Sequence, residues 1–377
     1  MIERNHTLNR RFCMGDTLKI DVACGGTGGH IFPGLATAYE LLGRGHDVTL
    51  WLAGKDIEHD AVGNWPGKIE TIPAEGFQFG LSLRSFKTAF RLYKAYRLAY
   101  SRMRNQAPQV LLAMGSYASF GPVKAARKLR IPYVLHEANL IPGRAVSLLA
   151  GKADTVAVSF EKTSYYLKHP NIVLTGFPLR LELQEGASQP RKERGQGEPL
   201  RIMVMGGSRG AQALNDVVPN ALGMAFKKGI PLEVVHIAGL QDTDKIKHIY
   251  AKAGVKAVVH QFIKEMAEIY RNTDLAISRS GAATCAELAV FGIPALLVPY
   301  PHAVRDHQMS NARILQDAGA ADVVAQEDLT ATWLRDYIIN VAERPKRLER
   351  MVEAMKKRSQ VNATEKLADL LERIAGA

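Results

Sequence analysis

The chain has little of what marks several classes of protein. It contains three cysteines in 377 residues, Cys13, Cys24 and Cys285, and their spacing fits neither a disulfide framework nor a metal motif. No apolar run approaches the roughly 18 residues of a membrane span, and the amino terminus lacks a signal-peptide core. His, Asp and Glu are scattered, so neither a metal nor another cofactor is expected. We therefore expect a cytoplasmic protein in a reducing compartment, preceded by a loose, flexible extension over residues 1–17.

Acidic residues are scarce relative to basic ones. The formal net charge is +12, which suits nucleic acid, anionic lipid or a phosphorylated substrate. No recognised nucleic-acid motif accompanies the charge, so a nucleic-acid partner is not expected.

Much of the positive charge lies in one segment. Residues 84–104 (RSFKTAFRLYKAYRLAYSRMR) carry seven basic residues, no acidic residue and several aromatics. This pattern predicts an amphipathic helix. Its basic side could contact an anionic membrane surface; alternatively, it is an ordinary surface helix whose apolar side faces the core.

A strand, a glycine-rich loop and a helix occur in that order twice. The first copy has a strand at 18–24, the loop Gly25–His30 and a helix that Pro33 is predicted to start; the second has a strand at 201–205, a loop at 206–210 and a helix at 211–225. Strands alternate with helices elsewhere, which predicts parallel sheets. We expect an α/β protein with two Rossmann-like domains, 18–180 and 200–360, whose sheets face a central cleft and are joined by a polar linker over 181–199.

The stretch 277–308 (ISRSGAATCAELAVFGIPALLVPYPHAVRDHQ) carries the clearest site. A small-residue turn leads into a helix at Ala282, and such a helix start presents unpaired N–H groups and the positive end of the helix dipole to an anion. Glu287 follows on the helix, where its carboxylate suits sugar hydroxyls better than phosphate. Asp306, His307 and Gln308 add polar groups. The pattern favours a nucleotide-sugar site over an ordinary strand–turn–helix.

Two common motifs are approximated but not met. The first loop would need a third glycine at Ile31, and an acidic residue after the next strand, to bind a dinucleotide. Gly206 and Gly210 have the spacing of a hydrolase nucleophile elbow around Ser208, but a whole sheet precedes them rather than one continuous sheet. Polar side chains also follow other strands of the first half: His30, Tyr117, Glu137 and Asn139.

Taken together, the motifs resemble one family. GGTGGHIFPGLA at 25–36, HEANLIPGRA at 136–145, GFPLR at 176–180, GGSRGAQ at 206–212, SGAATCAE at 280–287 and DHQMSNA at 306–312 resemble, in order, the MurG family of family 28 glycosyltransferases. Members transfer N-acetylglucosamine from UDP-N-acetylglucosamine to the C4 hydroxyl of the N-acetylmuramoyl group of lipid I. The product is lipid II, the reaction inverts the anomeric centre without metal, and it serves peptidoglycan synthesis at the cytoplasmic face of the inner membrane.

The resemblance also implies a fold and residue roles. The fold is GT-B, with a carboxyl-terminal helix at about 361–377 crossing back to the first domain, which faces the acceptor and the membrane. Thr27, Gly28 and Gly29 are implied to line the cleft beside the donor and acceptor phosphates, and Arg180 to lie near the hinge. The implied donor contacts are Asn139 and Gln308 on the sugar, Ser208 in the second loop, Ile263 on uracil, Ala282, Ala283 and Thr284 on the diphosphate, and Glu287 on ribose.

His30 is our candidate general base, with phosphate or backbone hydrogen bonding as its alternative role, and Tyr117 is placed on the acceptor side. The chain departs from the family at Ala138 and Phe177, where glutamine and asparagine are usual, and near Phe120, where the loop is one residue longer. These departures concern the acceptor and sugar contacts.

Two alternative functions remain open for the same sequence: a diacylglycerol-type lipid glycosyltransferase and a UDP-N-acetylglucosamine 2-epimerase.

Overall fold

A computed structural model describes residues 17–54, 58, 61–63, 65–73, 83–195, 197–207, 210–240 and 243–376, with the backbone alone for 83–89. The predicted amino-terminal extension, save its last residue, and Ser208 lie outside the described residues.

The first domain is built on a seven-stranded parallel sheet with the order β3-β2-β1-β4-β5-β6-β7. Its central strands are buried along their whole length, as parallel strands covered on both faces are. The strands are β1 (Lys19–Ala23), β2 (Asp47–Leu52), β3 (Lys68–Thr71), β4 (Val110–Ala113), β5 (Tyr133–Glu137), β6 (Thr155–Val158) and β7 (Ile172–Leu174).

The second domain repeats the plan with six parallel strands in the order β10-β9-β8-β11-β12-β13. These are β8 (Leu200–Met205), β9 (Leu232–Ile237), β10 (Lys256–His260), β11 (Leu275–Ser278), β12 (Ala295–Leu297) and β13 (Ala321–Val323).

Helices cover both sheets. They are α1 (Gly28–Gly43), α2 (Leu83–Gln106), α3 (Phe120–Leu129), α4 (Arg144–Leu149), α5 (Leu181–Ser188), α6 (Gln212–Lys227), α7 (Thr243–Ala253), α8 (Met266–Arg271), α9 (Ala282–Phe291), α10 (His307–Asp317), α11 (Ala331–Glu343), α12 (Pro345–Lys356) and α13 (Ala363–Ala375). No helix among the described residues is long and apolar enough to cross a membrane.

The strand order places one switch point in each sheet. The direction of winding reverses between β1 and β4 in the first sheet and between β8 and β11 in the second. Ligands of open α/β sheets bind in the crevice outside the carboxyl ends of strands at such points. The glycine loops after β1 and β8 therefore lie where the fold favours a ligand.

The structure corrects one sequence prediction and adds detail to another. The first helix begins at Gly28 rather than Pro33, because the Thr27 carbonyl already accepts from the N–H groups of His30 (2.8 Å) and Ile31 (3.0 Å) and closes a turn. Pro33 then lies inside the helix at the cost of a single backbone hydrogen bond. Part of the predicted linker, 181–199, is the helix α5, whose Leu183 is buried among residues of the second domain.

The closing helix, α13, packs on α1 of the first domain. Leu367 and Leu371 are buried in the same cluster as Ile31 and Leu35 of α1. Arg44, which ends α1, donates to Asp369 Oδ1 (2.6 Å) and Glu372 Oε2 (2.8 Å) of the closing helix, and to Glu40 Oε1 (2.9 Å) of its own. A largely buried guanidinium thus ties the end of the chain to its beginning.

We expect Arg44→Ala to lower the free energy of unfolding by about 1–3 kcal/mol, because it leaves partly buried carboxylates without their charged donor. Urea denaturation followed by circular dichroism measures this change. Lys356→Ala is the control, since its ion pair with Glu353 is exposed and such pairs contribute under about 1 kcal/mol. Equal destabilisation by the two variants would contradict a structural role for Arg44.

Candidate active site

The first glycine loop leads into the amino terminus of α1. Thr27 is the N-cap residue, and its side chain does not cap the helix, so Gly28 and Gly29 open the first turn as potential anion donors. Gly26 has φ +130°, and a Cβ there would lie 3.3 Å from Ser116 Cβ and 3.4 Å from the Tyr117 ring. The loops after β1 and β4 therefore touch, and Tyr117 stands beside the glycine loop.

His30 lies in the first turn of α1 and is half-buried. Its Nδ1 lies 2.9 Å from Thr27 Oγ1. Burial lowers the pKa of His30 to about 4, and the nearby His136 and His307 add to the effect. Since His307 belongs to the second domain, His30 faces across the cleft. The imidazole is neutral at pH 7, and a proton on Nδ1 shared with Thr27 would leave Nε2 as an acceptor.

Glu137 shapes the loop that carries Asn139. Its Oε1 accepts from the backbone N–H (2.8 Å) and the side-chain amide (3.2 Å) of Asn139, and its Oε2 accepts from the N–H of Gly143 (2.8 Å). Burial raises the pKa of Glu137, and these hydrogen bonds oppose the rise. A buried carboxylate with both oxygens engaged fixes the loop; Asn139, half-exposed at its surface, is the group available to a ligand.

In the second domain, α9 begins at Ala282, as the sequence predicted, and it follows β11 at the switch point. Gly281 is its N-cap residue, so the N–H groups of Ala282, Ala283 and Thr284 open the helix. Ser280 donates to the backbone carbonyl of Gln308 (2.9 Å), which brings the start of α10 beside the start of α9. Gln308 accepts through Oε1 from the N–H of Tyr300 (2.9 Å), leaving its NH₂ group as a donor.

Glu287 lies one and a half turns into α9, half-buried. Its Oε2 accepts from the hydroxyl of Tyr270, a fully buried residue of α8, at 2.6 Å. Burial raises the pKa of Glu287; the Tyr270 hydrogen bond and the charge of Arg180 lower it. Arg180 itself lies over the Phe32 ring (5.3 Å) and 3.7 Å from Glu182, at the junction of the domains.

Other predicted donor residues lie on the second domain's side of the cleft. Ile263 is half-buried just before α8. Gly210 closes the second glycine loop with φ +77°, and a Cβ there would lie 2.2 Å from the Ala238 carbonyl oxygen, so no other residue fits. The backbone of Gly210 therefore lies close to the end of β9. The structure does not describe Ser208, so its predicted contact stays a prediction.

Hydrogen bonds join the two sides of the cleft. Asn311 of α10, fully buried, accepts from the N–H of Leu140 (3.0 Å) and donates to Asn139 Oδ1 (3.2 Å) and to the Ser280 carbonyl (3.3 Å). Arg305 reaches from the preceding turn to the carbonyl of Pro142 (3.1 Å). The loop with Asn139 and the start of α9 thus meet through Asn311.

Two of the residues at which the chain departs from the family pattern, Ala138 and Phe177, lie in this junction, whereas Phe120 packs on the core of the first domain. Ala138 and Phe177 are buried, 6% and 5% exposed, in a cluster made mostly of second-domain residues. Phe120 is the first residue of α3. The substitutions at 138 and 177 therefore add apolar packing between the domains.

Sequence reasoning missed Tyr270, Arg305 and the bridging role of Asn311. Asn311 falls inside the quoted DHQMSNA segment, but no local pattern shows that its amide crosses to the other domain. Arg305 and Asp306 have positive φ values of 54° and 52°, an uncommon conformation for residues with a side chain. A tyrosine on a short helix carries no signal in sequence.

Two Rossmann-like domains whose helix starts and polar side chains meet across one cleft are the arrangement of GT-B enzymes that act on nucleotide sugars. Comparisons agree. The family models for the glycosyltransferase family 28 amino-terminal and carboxyl-terminal domains match residues 20–158 and 201–373. The chain belongs to glycosyltransferase family 28.

The chain is similar to known proteins along nearly its whole length and nearly the whole of theirs. A UDP-N-acetylglucosamine–N-acetylmuramyl-(pentapeptide) pyrophosphoryl-undecaprenol N-acetylglucosamine transferase of Cupriavidus pinatubonensis is 39% identical over 360 residues, 94% of this chain and 97% of that protein. The crystal structure of MurG from Acinetobacter baumannii is 30% identical, with a TM-score of 0.78 over 94% of this chain and 99% of that one.

A UDP-N-acetylglucosamine 2-epimerase of Listeria monocytogenes, described as putative in its title, also shares the architecture. Its TM-score is 0.66 over 93% of this chain and 94% of that one, at 13% identity. At this identity the likeness concerns the fold alone.

Proposed function

We propose that this enzyme transfers N-acetylglucosamine from UDP-N-acetylglucosamine to the C4 hydroxyl of the N-acetylmuramoyl group of lipid I, giving lipid II with inversion and without a metal. The observation that carries the proposal is the pair of helix starts, at Gly28 and Ala282, that border one cleft together with Glu287. The names and full-length similarity of the relatives support the choice of donor and acceptor.

The donor would occupy the second domain's side of the cleft. Uracil would meet the backbone at Ile263, ribose the carboxylate of Glu287, and the diphosphate the start of α9 and the loop containing Ser208. The sugar would meet Asn139 and the NH₂ group of Gln308. Arg180, near Glu287, adds positive charge on this side. Helix N–H groups stabilise an anion by 0.3–1 kcal/mol or more in the first turn, about the same order as one charged side chain.

Transfer requires one proton to move. The acceptor's C4 oxygen forms a bond to the anomeric carbon from the face opposite UDP, and the bond from that carbon to the UDP oxygen breaks with its electron pair going to UDP. The acceptor proton passes to His30 Nε2. The charge that develops on the leaving diphosphate is met by N–H donors already in place, which is the arrangement that lowers such barriers most.

The test is UDP release from UDP-N-acetylglucosamine, in detergent without added metal, with and without a lipid I analogue. Lipid-dependent release with a disaccharide product supports the proposal. Diacylglycerol replaces the analogue in a second arm, and donor epimerisation is followed by NMR in a third. Turnover in either of those arms, with none on the lipid I analogue, would replace this function by the lipid glycosyltransferase or the isomerase.

A lipid acceptor lies in a membrane, so the enzyme must reach the membrane surface. The helix α2 has a basic face that suits this contact. Phe90 and Tyr93 are 68% and 56% exposed, while Lys94 and Arg97 are exposed beside them. The opposite side, with Ala95, Ala99 and Met103 buried, packs on α3. We propose that this face docks on the anionic cytoplasmic leaflet, so that the enzyme is peripheral to the inner membrane.

We expect the double variant Lys94→Glu/Arg97→Glu to bind phosphatidylglycerol vesicles at least about 30-fold more weakly at low salt, at about 1 kcal/mol per basic residue. Vesicle co-sedimentation measures this. Lys227→Glu/Lys252→Glu on the second domain changes the net charge equally, and both lysines are exposed. If this control weakens binding as much, attraction is a matter of net charge and α2 is not the docking face.

A further inference from the structure

The buried hydroxyl of Tyr270 makes a hydrogen bond that has no role in the mechanism proposed above. It donates to Glu287 Oε2 at 2.6 Å, and the Tyr270 ring is fully buried against Phe291, with ring centroids 4.9 Å apart. The hydroxyl therefore has little freedom to move. A tyrosine so confined holds one oxygen of the carboxylate in a fixed place.

We propose that Tyr270 is the positioning residue for Glu287: it occupies Oε2 and thereby presents Oε1 to the ribose hydroxyls of the donor nucleotide. The inference rests on the proposed function, in which Glu287 contacts ribose. It extends that function by naming the group that sets the recognition of ribose against deoxyribose.

The location of Tyr270 links two parts of the nucleotide site. It lies on α8, which begins at Met266, three residues after Ile263. Glu287 lies on α9, whose first turn faces the diphosphate in the proposed complex. The hydrogen bond thus ties the helix beside uracil to the helix that carries the ribose and phosphate contacts, and the two recognise one nucleotide as a unit.

The hydroxyl also bears on the charge of Glu287. Burial raises the pKa of Glu287 and the charge of Glu182 adds to the rise, while Tyr270 is the first of the groups that lower it, ahead of Arg180. The pKa of Tyr270 itself is raised well above 10 by burial and by Glu287, so the phenol stays a donor at every working pH. Removing the hydroxyl raises the pKa of Glu287 further. Because the ionised form is present above that pKa, the variant's affinity for nucleotide is lost as pH falls, starting at a higher pH than in the wild type.

The experiment measures binding of UDP and of 2′-deoxy-UDP by calorimetry between pH 5.5 and 8. We expect Tyr270→Phe, which keeps the ring packing, to weaken UDP about tenfold at neutral pH. Its preference for UDP over 2′-deoxy-UDP falls, and its affinity drops more steeply than that of the wild type toward pH 5.5. In a Glu287→Gln background, Tyr270→Phe has little further effect, because it acts through the carboxylate.

Tyr337→Phe is the matched control. The Tyr337 hydroxyl donates to Asp322 Oδ2 at 2.8 Å in the same domain, and its ring stacks on Trp333 of α11, a helix that carries none of the proposed donor contacts. It should leave nucleotide binding unchanged. If Tyr270→Phe behaves like this control while Glu287→Gln weakens UDP, positioning by Tyr270 is overturned and the ribose contact stands. Full additivity of the two changes would also overturn positioning. If Glu287→Gln binds UDP like the wild type, the ribose contact of the proposed function fails, and this inference fails with it.

Discussion

His30→Ala should lower kcat by about 10²–10⁴-fold, the usual contribution of a positioned general base, and leave the affinity for UDP nearly unchanged. The reason is its position: His30 stands in the first turn of α1, faces the second domain, and has a ring nitrogen 2.9 Å from Thr27 that can fix its tautomer. Steady-state kinetics with the lipid I analogue, together with calorimetry of UDP, separate the two effects.

The pH dependence gives a second, independent reading of the same residue. Burial with His136 and His307 lowers the pKa of His30 to about 4, so the neutral base is present above that pH and is lost as pH falls through it. The rate should stay flat from pH 8 to about 5.5 as far as His30 is concerned. An ordinary histidine base would lose activity near pH 6.5.

His248, exposed on α7, provides the control for this substitution. His248→Ala should change neither kcat nor the pH profile. Near-normal turnover of His30→Ala would assign the residue to hydrogen bonding with phosphate or backbone. A wild-type rate that halves near pH 6.5 and loses that step in His30→Ala would keep the base but refute its lowered pKa.

The sequence predicted best those features that are local. The start of α9 at Ala282 follows from a run of small residues after an apolar strand, and the structure has the helix at Ala282–Phe291 as expected. The two-domain parallel-sheet fold follows from strands and helices that alternate along the chain, and it is confirmed. In both cases the signal and the structure lie within a few residues of each other.

What the sequence could not predict depends on contacts between distant segments. The sequence indicated Glu137 as a polar side chain at a strand end that could meet a ligand. In the structure, both of its carboxylate oxygens accept hydrogen bonds from the next loop instead. Proline at 33 suggested a helix start, but the first turn closes earlier on the Thr27 carbonyl. The segment 181–188 is polar enough to be interpreted as a linker, but its buried Leu183 and Gly186 pack it onto the second domain. Composition alone does not show which neighbour a residue will meet.

The second large effect is expected at Asn311. Asn311→Leu keeps the approximate size of the side chain but leaves the N–H of Leu140, the Ser280 carbonyl and Asn139 Oδ1 without this partner. Each buried group left unsatisfied costs about 1–3 kcal/mol. Because these groups belong to opposite sides of the cleft, we expect the cost to appear as weaker closure of the domains, with kcat/KM reduced about 10–100-fold and a larger radius of gyration by X-ray scattering.

Asn215→Leu separates closure from stability. Asn215 is also a buried amide with two partners, His236 and the Ala238 carbonyl, both at 3.0 Å, but all three lie within the second domain. It should lower the urea midpoint as Asn311→Leu does, without changing the radius of gyration. If both variants lose activity in proportion to stability, and neither expands the molecule, Asn311 contributes to stability alone and not to closure of the domains. If only Asn311→Leu expands the molecule, the hydrogen bonds of Asn311 hold the start of α9 against the loop of Asn139.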